Sequence, residues 1–303
     1  MSQIESTLKP RDVEEVLDVR FYRPLGYLIA RLSRALALTP NSVTVISIIV
    51  GMVAGHLFYY TDLAVNVLGM VLLILSEAID SADGQLARMT SMQSRIGRIL
   101  DGFGGNLVFI SIYFHLSLRI VAAGGPLWIF AVAALSGISH SFQCAMADYY
   151  RNAYLHFVFG EDRSEMEQSG RVAEGHRELR WLRNPLKKFL MRIYLNYTLQ
   201  QELLAGNFLQ LYATARSRFG QLIPQWLRQE YSVKNKPLLK YYNLITTNTR
   251  IFALFCCLFL RNVYLYFAFE ILVLNAVLVI LLIHQKHINA SLLGQINAHE
   301  GTA

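Results

Sequence analysis

The sequence predicts an all-α integral membrane protein. It has six transmembrane helices, an N-terminal interfacial amphipathic helix, and a long cytoplasmic helical insertion between helices 4 and 5. Three observations predict this. Of 303 residues, 54% are hydrophobic and mean hydropathy is positive, which is too apolar for an ordinary soluble domain of this size. Apolar stretches of about 20 residues, the length needed to cross a bilayer, recur between short polar breaks. The lysines and arginines collect in alternate connections.

Residues 1–40 form the N-terminal segment. Its opening, MSQIESTLKPRDVEE, has neither the apolar core nor the small-residue cleavage site of a signal peptide. In VEEVLDVRFYRPLGYLIARLSRALAL, leucines interleave with arginines. We read this as a helix lying in the membrane interface, with a break expected near Pro24. Residues 41–159 hold the first four spans, at about Ser42–Tyr60, Leu63–Ile79, Ile99–Val121 and Pro126–Ala147. Residues 160–240 are the insertion, either cytoplasmic helices covering the working face or a surface decoration. Residues 241–303 hold the last two spans, Tyr242–Leu260 and Val263–His284, and a short tail.

Orientation follows from charge. The net charge is +7. Arg11, Arg20, Arg23, Arg31 and Arg34 precede the first span; Arg88, Arg95 and Arg98 lie between the second and third; Arg163 to Lys240 follow the fourth. The other connections are nearly free of basic residues. That alternation places both termini and the Asp-rich stretch in the cytoplasm, and we expect a multi-pass protein of the bacterial inner membrane. The three cysteines lie in apolar stretches without metal-site spacing, so neither a disulfide framework nor a thiolate metal site is expected. Nothing points to a nucleic-acid partner. The absence of paired discontinuous spans and of repeat symmetry argues against a transporter.

The chemistry sits in AIDSADGQLARMTSMQSRIGRILDGFGGN, Ala78 to Asn106. Ionisable residues at membrane depth are costly and mark function. Asp80 and Asp83 are one helical turn apart. If spans two and three lie side by side, both converge with Asp101. Three carboxylates without Cys or His suit Mg²⁺ or Mn²⁺, ions that work on phosphates. Gly84 would let a ligand approach the backbone, and Arg88 could pair with a phosphate. The alternative is a set of interfacial carboxylates paired with Arg88, Arg95 and Arg98. In the fourth span, His140, Gln143, Asp148 and Arg151 could form an acceptor pocket, or Asp148 could simply pair with Arg151 or Asn152 near the interface. Glu270 and Asn275, in the sixth span, need inter-helical partners. Gly51 and Gly55 make a small-x-x-x-small pair able to pack helices within or between subunits.

The spacing resembles the signature of the CDP-alcohol phosphotransferase family, D-x-x-D-G-x-x-A-R-x(8)-G-x(3)-D-x(3)-D. It matches at Asp80, Asp83, Gly84, Ala87, Arg88, Gly97 and Asp101. TPNSVT, Thr39 to Thr44, resembles the Pro-Asn-x-x-Thr that opens the first span in many members. The resemblance covers Leu17 to Arg151 well and the last two spans loosely; it does not extend to 160–240. It implies phospholipid synthesis: a substituted phosphate passes from a CDP-linked donor, CDP-diacylglycerol or a CDP-alcohol, to an alcohol or lipid acceptor, and CMP leaves. It implies metal ligation by Asp80, Asp83 and Asp101, a CDP site along Asn41, Thr44, Asp80, Gly84, Arg88 and Gly97, and a homodimer. The family's last aspartate, thought to be the base, falls at Gly105, followed by Asn106. An amide cannot take a proton. Three readings remain: Asn106 stands for an Asp→Asn change read through a one-residue helical irregularity, the base comes from elsewhere, or the chain is an inactive relative that binds metal and CDP-lipid as a scaffold or regulator.

Overall fold

A computed structural model describes residues 10, 12–220 and 222–298. Among these there is no strand. A wide π-type turn at Asp18–Tyr22 runs straight into α1, Arg23–Ala35. The expected break at Pro24 is absent. The helix instead continues through Pro24, and the wide turn just before it loosens the hydrogen-bond ladder where proline has no N–H to give. Gly26, Ala30 and Ser33 of α1 face α3, while Leu28, Leu32 and Leu36 point outward.

Helix α2, Pro40–Leu57, starts at Thr39, whose hydroxyl accepts from the Ser42 amide at 3.2 Å. Helix α3, Leu63–Thr90, starts at Asp62 in the same way and ends where Ser91 turns left-handed. Helix α4, Arg95–Ala122, is capped by Ser94. At 28 residues each, α3 and α4 are about 42 Å long, longer than the hydrocarbon core. The Asp-rich stretch is therefore helical on both sides of a four-residue turn. Helix α5, Ile129–Phe159, likewise extends past its apolar part.

Five helices are long and apolar enough to cross a membrane: α2, α3, α4, α5 and Tyr264–Ala298. The fifth expected span is shorter than anticipated. Its polar start forms a 3₁₀ turn at Asn243–Ile245, and the helix that follows, α10, covers only Thr247–Phe259, about 20 Å. The reason lies in its side chains. Thr246 and Asn248 donate to Glu15 at 2.6 and 2.8 Å, and Asn248 also donates to Asp18. This stretch ties the N-terminal segment to the bundle. Arg250, fully buried, donates to Glu270 at 3.2 Å and to Gln143. Asn275 accepts from Gln143 at 2.8 Å and donates to Ser139. Both expected inter-helical partnerships are thus present.

The insertion consists of α6, Ser169–Glu178; α7, Pro185–Leu204; α8, Gly206–Phe219; and α9, Gln225–Tyr242. It packs against the bundle. Helix α7 lies on α4 and α5; α8 and α9 lie on α11, Tyr264–Ala298, which has one wide turn at Phe269–Val273. The seam is aromatic: Phe157 stacks on Tyr231 at 4.3 Å and Tyr150 on Tyr242 at 5.3 Å between centroids.

The tightest packing is around α2. Helices α3 and α4 each lie along α2 and barely touch one another. A Cβ at Gly51 would stand 2.6 Å from Val108 of α4 and 2.7 Å from Ser76 of α3. One at Gly104 would stand 2.7 Å from Ile48. These backbones need glycine to close. Gly51→Leu should therefore lower thermal stability in detergent by about 1–3 kcal/mol or more. Gly294→Ala, in a helix with nothing within 4 Å of the new Cβ, should be neutral or stabilising by up to about 1 kcal/mol. An unchanged melting curve for Gly51→Leu would mean that the α2 seam is looser than described.

Candidate active site

Because α3 and α4 splay apart on either side of α2, they leave a crevice at their charged end. Asp80 and Asp83 reach it from α3 and Asp101 from α4. One carboxylate oxygen from each lies within 4.8 Å of the others. Asp83 is buried and Asp101 is the most open of the three. The expected side-by-side packing of spans two and three is thus replaced by packing through α2, and the three carboxylates still converge.

Helix α2 also orients them. The Thr44 hydroxyl donates to Asp83, and Ser47 Oγ lies 3.4 Å from Asp80 Oδ1. Asn41 sits against Gly97, its Oδ1 only 3.1 Å from where a Cβ would be, and the Gly97 amide donates to Ser94 at 3.0 Å. Arg88 folds back over Gly84, its Nη1 3.5 Å from the missing Cβ. Arg88 Nε and Nη2 are buried and have no hydrogen-bond partner. A buried guanidinium left unsatisfied costs free energy until an acceptor arrives, and phosphate is the acceptor its fork fits. The cluster itself offers only oxygen donors, close enough to share one ion. It could hold a metal, and a hard divalent cation fits it.

Other expectations need correction. Helix α4 is regular throughout, so no irregularity brings Asn106 round to the carboxylates. At five residues from Asp101 it points about 140° away around the helix. Its amide donates to the Gly102 carbonyl at 2.8 Å. It lines a separate cavity of about 480 Å³ between α4 and α5, with Phe109, Tyr113, His140, Ser141 and Gln200. Gly105, four residues from Asp101, does face the crevice side, and a Cβ there would meet nothing within 4 Å.

The four acceptor candidates do not form one pocket. His140 is buried, with Nδ1 3.0 Å from the Tyr113 hydroxyl, and Gln143 belongs to the Arg250–Glu270 network. Asp148 accepts from Asn152 at 3.1 Å, one of the two expected local pairings. Arg151 pairs with Glu15 at 2.9 Å and donates to Asn243 at 2.6 Å. Arg95 and Arg98 pair with Glu167 and Glu165, at 2.5 and 3.7 Å.

The N-terminal segment closes one side. Burial raises the Asp18 carboxyl above its ordinary value, against a hydrogen bond from Asn248, and the Glu15 charge adds to the rise. Sequence reasoning overlooked Glu77, three residues before Asp80, whose charged neighbours are Asp18, Asp101, Glu15 and Asp80. The signal was the continued three-residue spacing Glu77, Asp80, Asp83.

Residues 37–156 match the sequence model of the CDP-alcohol phosphatidyltransferase family. They form a CDP-alcohol phosphatidyltransferase domain. It includes α2 to α5 nearly entire and every residue of the crevice named from Asn41 to Asp101. Among curated proteins, the chain is similar to the archaetidylinositol phosphate synthase of Pyrococcus horikoshii. The two are 32% identical over 84 residues, which is 28% of this chain and 43% of the relative. The chain thus spans less than half the length of the curated relative it matches. Helices α6 to α11 lie outside the phosphatidyltransferase domain; α7 packs on its α4 and α5, and α9 on its α5.

Proposed function

We propose that the protein is a metal-dependent phosphatidyltransferase of phospholipid synthesis. It would take a CDP-linked lipid, pass the lipid phosphate to an alcohol, and release CMP. The observation that carries this reading is one juxtaposition inside the phosphatidyltransferase domain: three carboxylates that can share a cation, beside a buried guanidinium with no acceptor of its own. Phosphoryl transfer needs both, since the barrier is lowered chiefly by positioning and by neutralising developing charge.

Each residue has a task in this account. Asp80, Asp83 and Asp101 would hold Mg²⁺ or Mn²⁺, which when bound neutralises pyrophosphate oxygens. Arg88 would hold a phosphate oxygen. Gly84, without a side chain, leaves the donor room beside Arg88. Thr44 keeps Asp83 turned into the crevice, and Asn41 with Gly97 shapes its α2–α4 wall. The relative is named for a phosphorylated inositol lipid, so phosphorylated polyols come first among acceptors. A second reading is favoured by Gly105 alone: a silent member that binds metal and CDP-lipid as a scaffold or regulator.

The purified chain should release CMP from CDP-diacylglycerol with at least one of inositol phosphate, glycerol phosphate or serine, and only with a divalent ion. Asp101→Asn should abolish product. Binding of CDP-diacylglycerol without turnover for any acceptor would favour the silent member.

The membrane orientation proposed from charge has the insertion in the cytoplasm. In a Cys256→Ala background, a cysteine at Leu182, fully exposed at 100%, should resist an impermeant thiol reagent in intact cells and react in inverted vesicles. The reverse pattern would overturn the orientation.

A further inference from the structure

The crevice lacks a carboxylate on one wall and carries an additional one on the other. In antiparallel α3 and α4, Asp80 and Asp101 mark one level. One turn further along α4 from the charged turn is Gly105, and one turn further along α3 is Glu77. Both steps are about 5 Å in the same direction, so the two positions stand at matching depth. Gly105 offers open space. Glu77 lies on the helix face shared by Asp80 and Gly84, at spacings of three and seven residues, and glutamate has one methylene more reach than aspartate.

The surroundings of Glu77 support a role in the crevice. Its titratable neighbours are Asp18, Asp101, Glu15, Asp80 and Tyr22, with no cation among them. Structural carboxylates at membrane depth are paired, as Glu270 is with Arg250 and Glu15 with Arg151. No hydrogen bond or ion pair among the described residues engages Glu77. Asp18 is held by Asn248, and Glu15 by Thr246, Asn248 and Arg151. Glu77 is thus the carboxylate at this depth left free to act.

We infer that Glu77 is the proton acceptor of the transfer reaction, supplied from α3 where α4 has only Gly105. The inference rests on the phosphatidyltransferase reading. The acceptor O–H gives its proton to the Glu77 carboxylate. The freed oxygen pair forms a bond to the lipid-linked phosphorus. The bond from that phosphorus to the bridging oxygen breaks, and CMP leaves with the electron pair. The proton then passes from Glu77 to water. The net change is CDP-lipid plus alcohol to phospholipid plus CMP and a proton.

The test uses the full chain in nanodiscs with CDP-diacylglycerol and Mn²⁺. Glu77→Gln should lower kcat by about 10²–10⁴-fold, leave Mn²⁺ affinity measured by electron paramagnetic resonance within about threefold, and remove the acid limb of the pH–kcat profile. Adding Gly105→Asp to Glu77→Gln should recover at least tenfold of the rate and restore that limb. Asn106→Asp added instead should recover nothing. Glu77→Asp, which keeps the charge, should retain an intermediate rate, and it carries the test if Glu77→Gln does not fold. Wild-type turnover matched by Glu77→Gln, or unchanged in Glu77→Asp when that is the only folded variant, overturns the role of Glu77 alone. A wild type that transfers to no acceptor overturns both the role and the reading on which it rests.

Discussion

The arrangement depends on how closely α2 is gripped by its two neighbours. At Gly51, Ser76 and Val108 stand where a side chain would be, and at Gly104 it is Ile48. With α2 as the wedge, α3 and α4 separate at their charged ends but remain within reach through their aspartates. Tighter packing of α3 on α4 would leave no room for a pyrophosphate. Looser packing would put Asp101 beyond a shared ion. Small residues at helix contacts are how membrane proteins obtain such approach where no hydrophobic drive acts between helices. Here that packing sets the width of the crevice.

A second constraint is the handling of charge at membrane depth. Where charge is structural, it is paired. Arg250 and Glu270, both fully buried, are tied through Gln143, and removing one partner of such a pair typically costs about 3–5 kcal/mol. Arg119 donates to Asn66 at 2.9 Å, and Glu15 gathers Arg151, Thr246 and Asn248. Against that background, the crevice stands out. Asp80, Asp83 and Asp101 crowd together with carboxylate oxygens within 4.8 Å of one another, and Arg88 has buried nitrogens without an acceptor. A cation and a phosphate would satisfy both deficits together.

Much of this was legible in the sequence. The spans from α2 to α5 follow from apolar length, and the cluster follows from the helical spacing of Asp80 and Asp83 with Asp101 beyond a short turn. Other features depended on tertiary partners. The polar start of α10 reads as a weak span because its threonines and asparagines serve Glu15 and Asp18, more than 200 residues earlier. Arg151 has the spacing of a local partner for Asp148, but it reaches Glu15, 136 residues earlier in the chain. Asn106 drew attention by chemistry one residue from the expected place; in a regular helix, one residue is about 100°, enough to turn it out of the crevice. Glu77 was overlooked because the familiar spacing begins at Asp80.

The central claim is that one crevice holds both a divalent ion and a pyrophosphate. Diffraction at the manganese edge, from crystals grown with Mn²⁺ and CDP-diacylglycerol, tests it directly. The account predicts anomalous density among Asp80, Asp83 and Asp101, with Arg88 Nη2 on a phosphate oxygen. Ordered CDP-diacylglycerol bound elsewhere, with no manganese among the three aspartates, would contradict it.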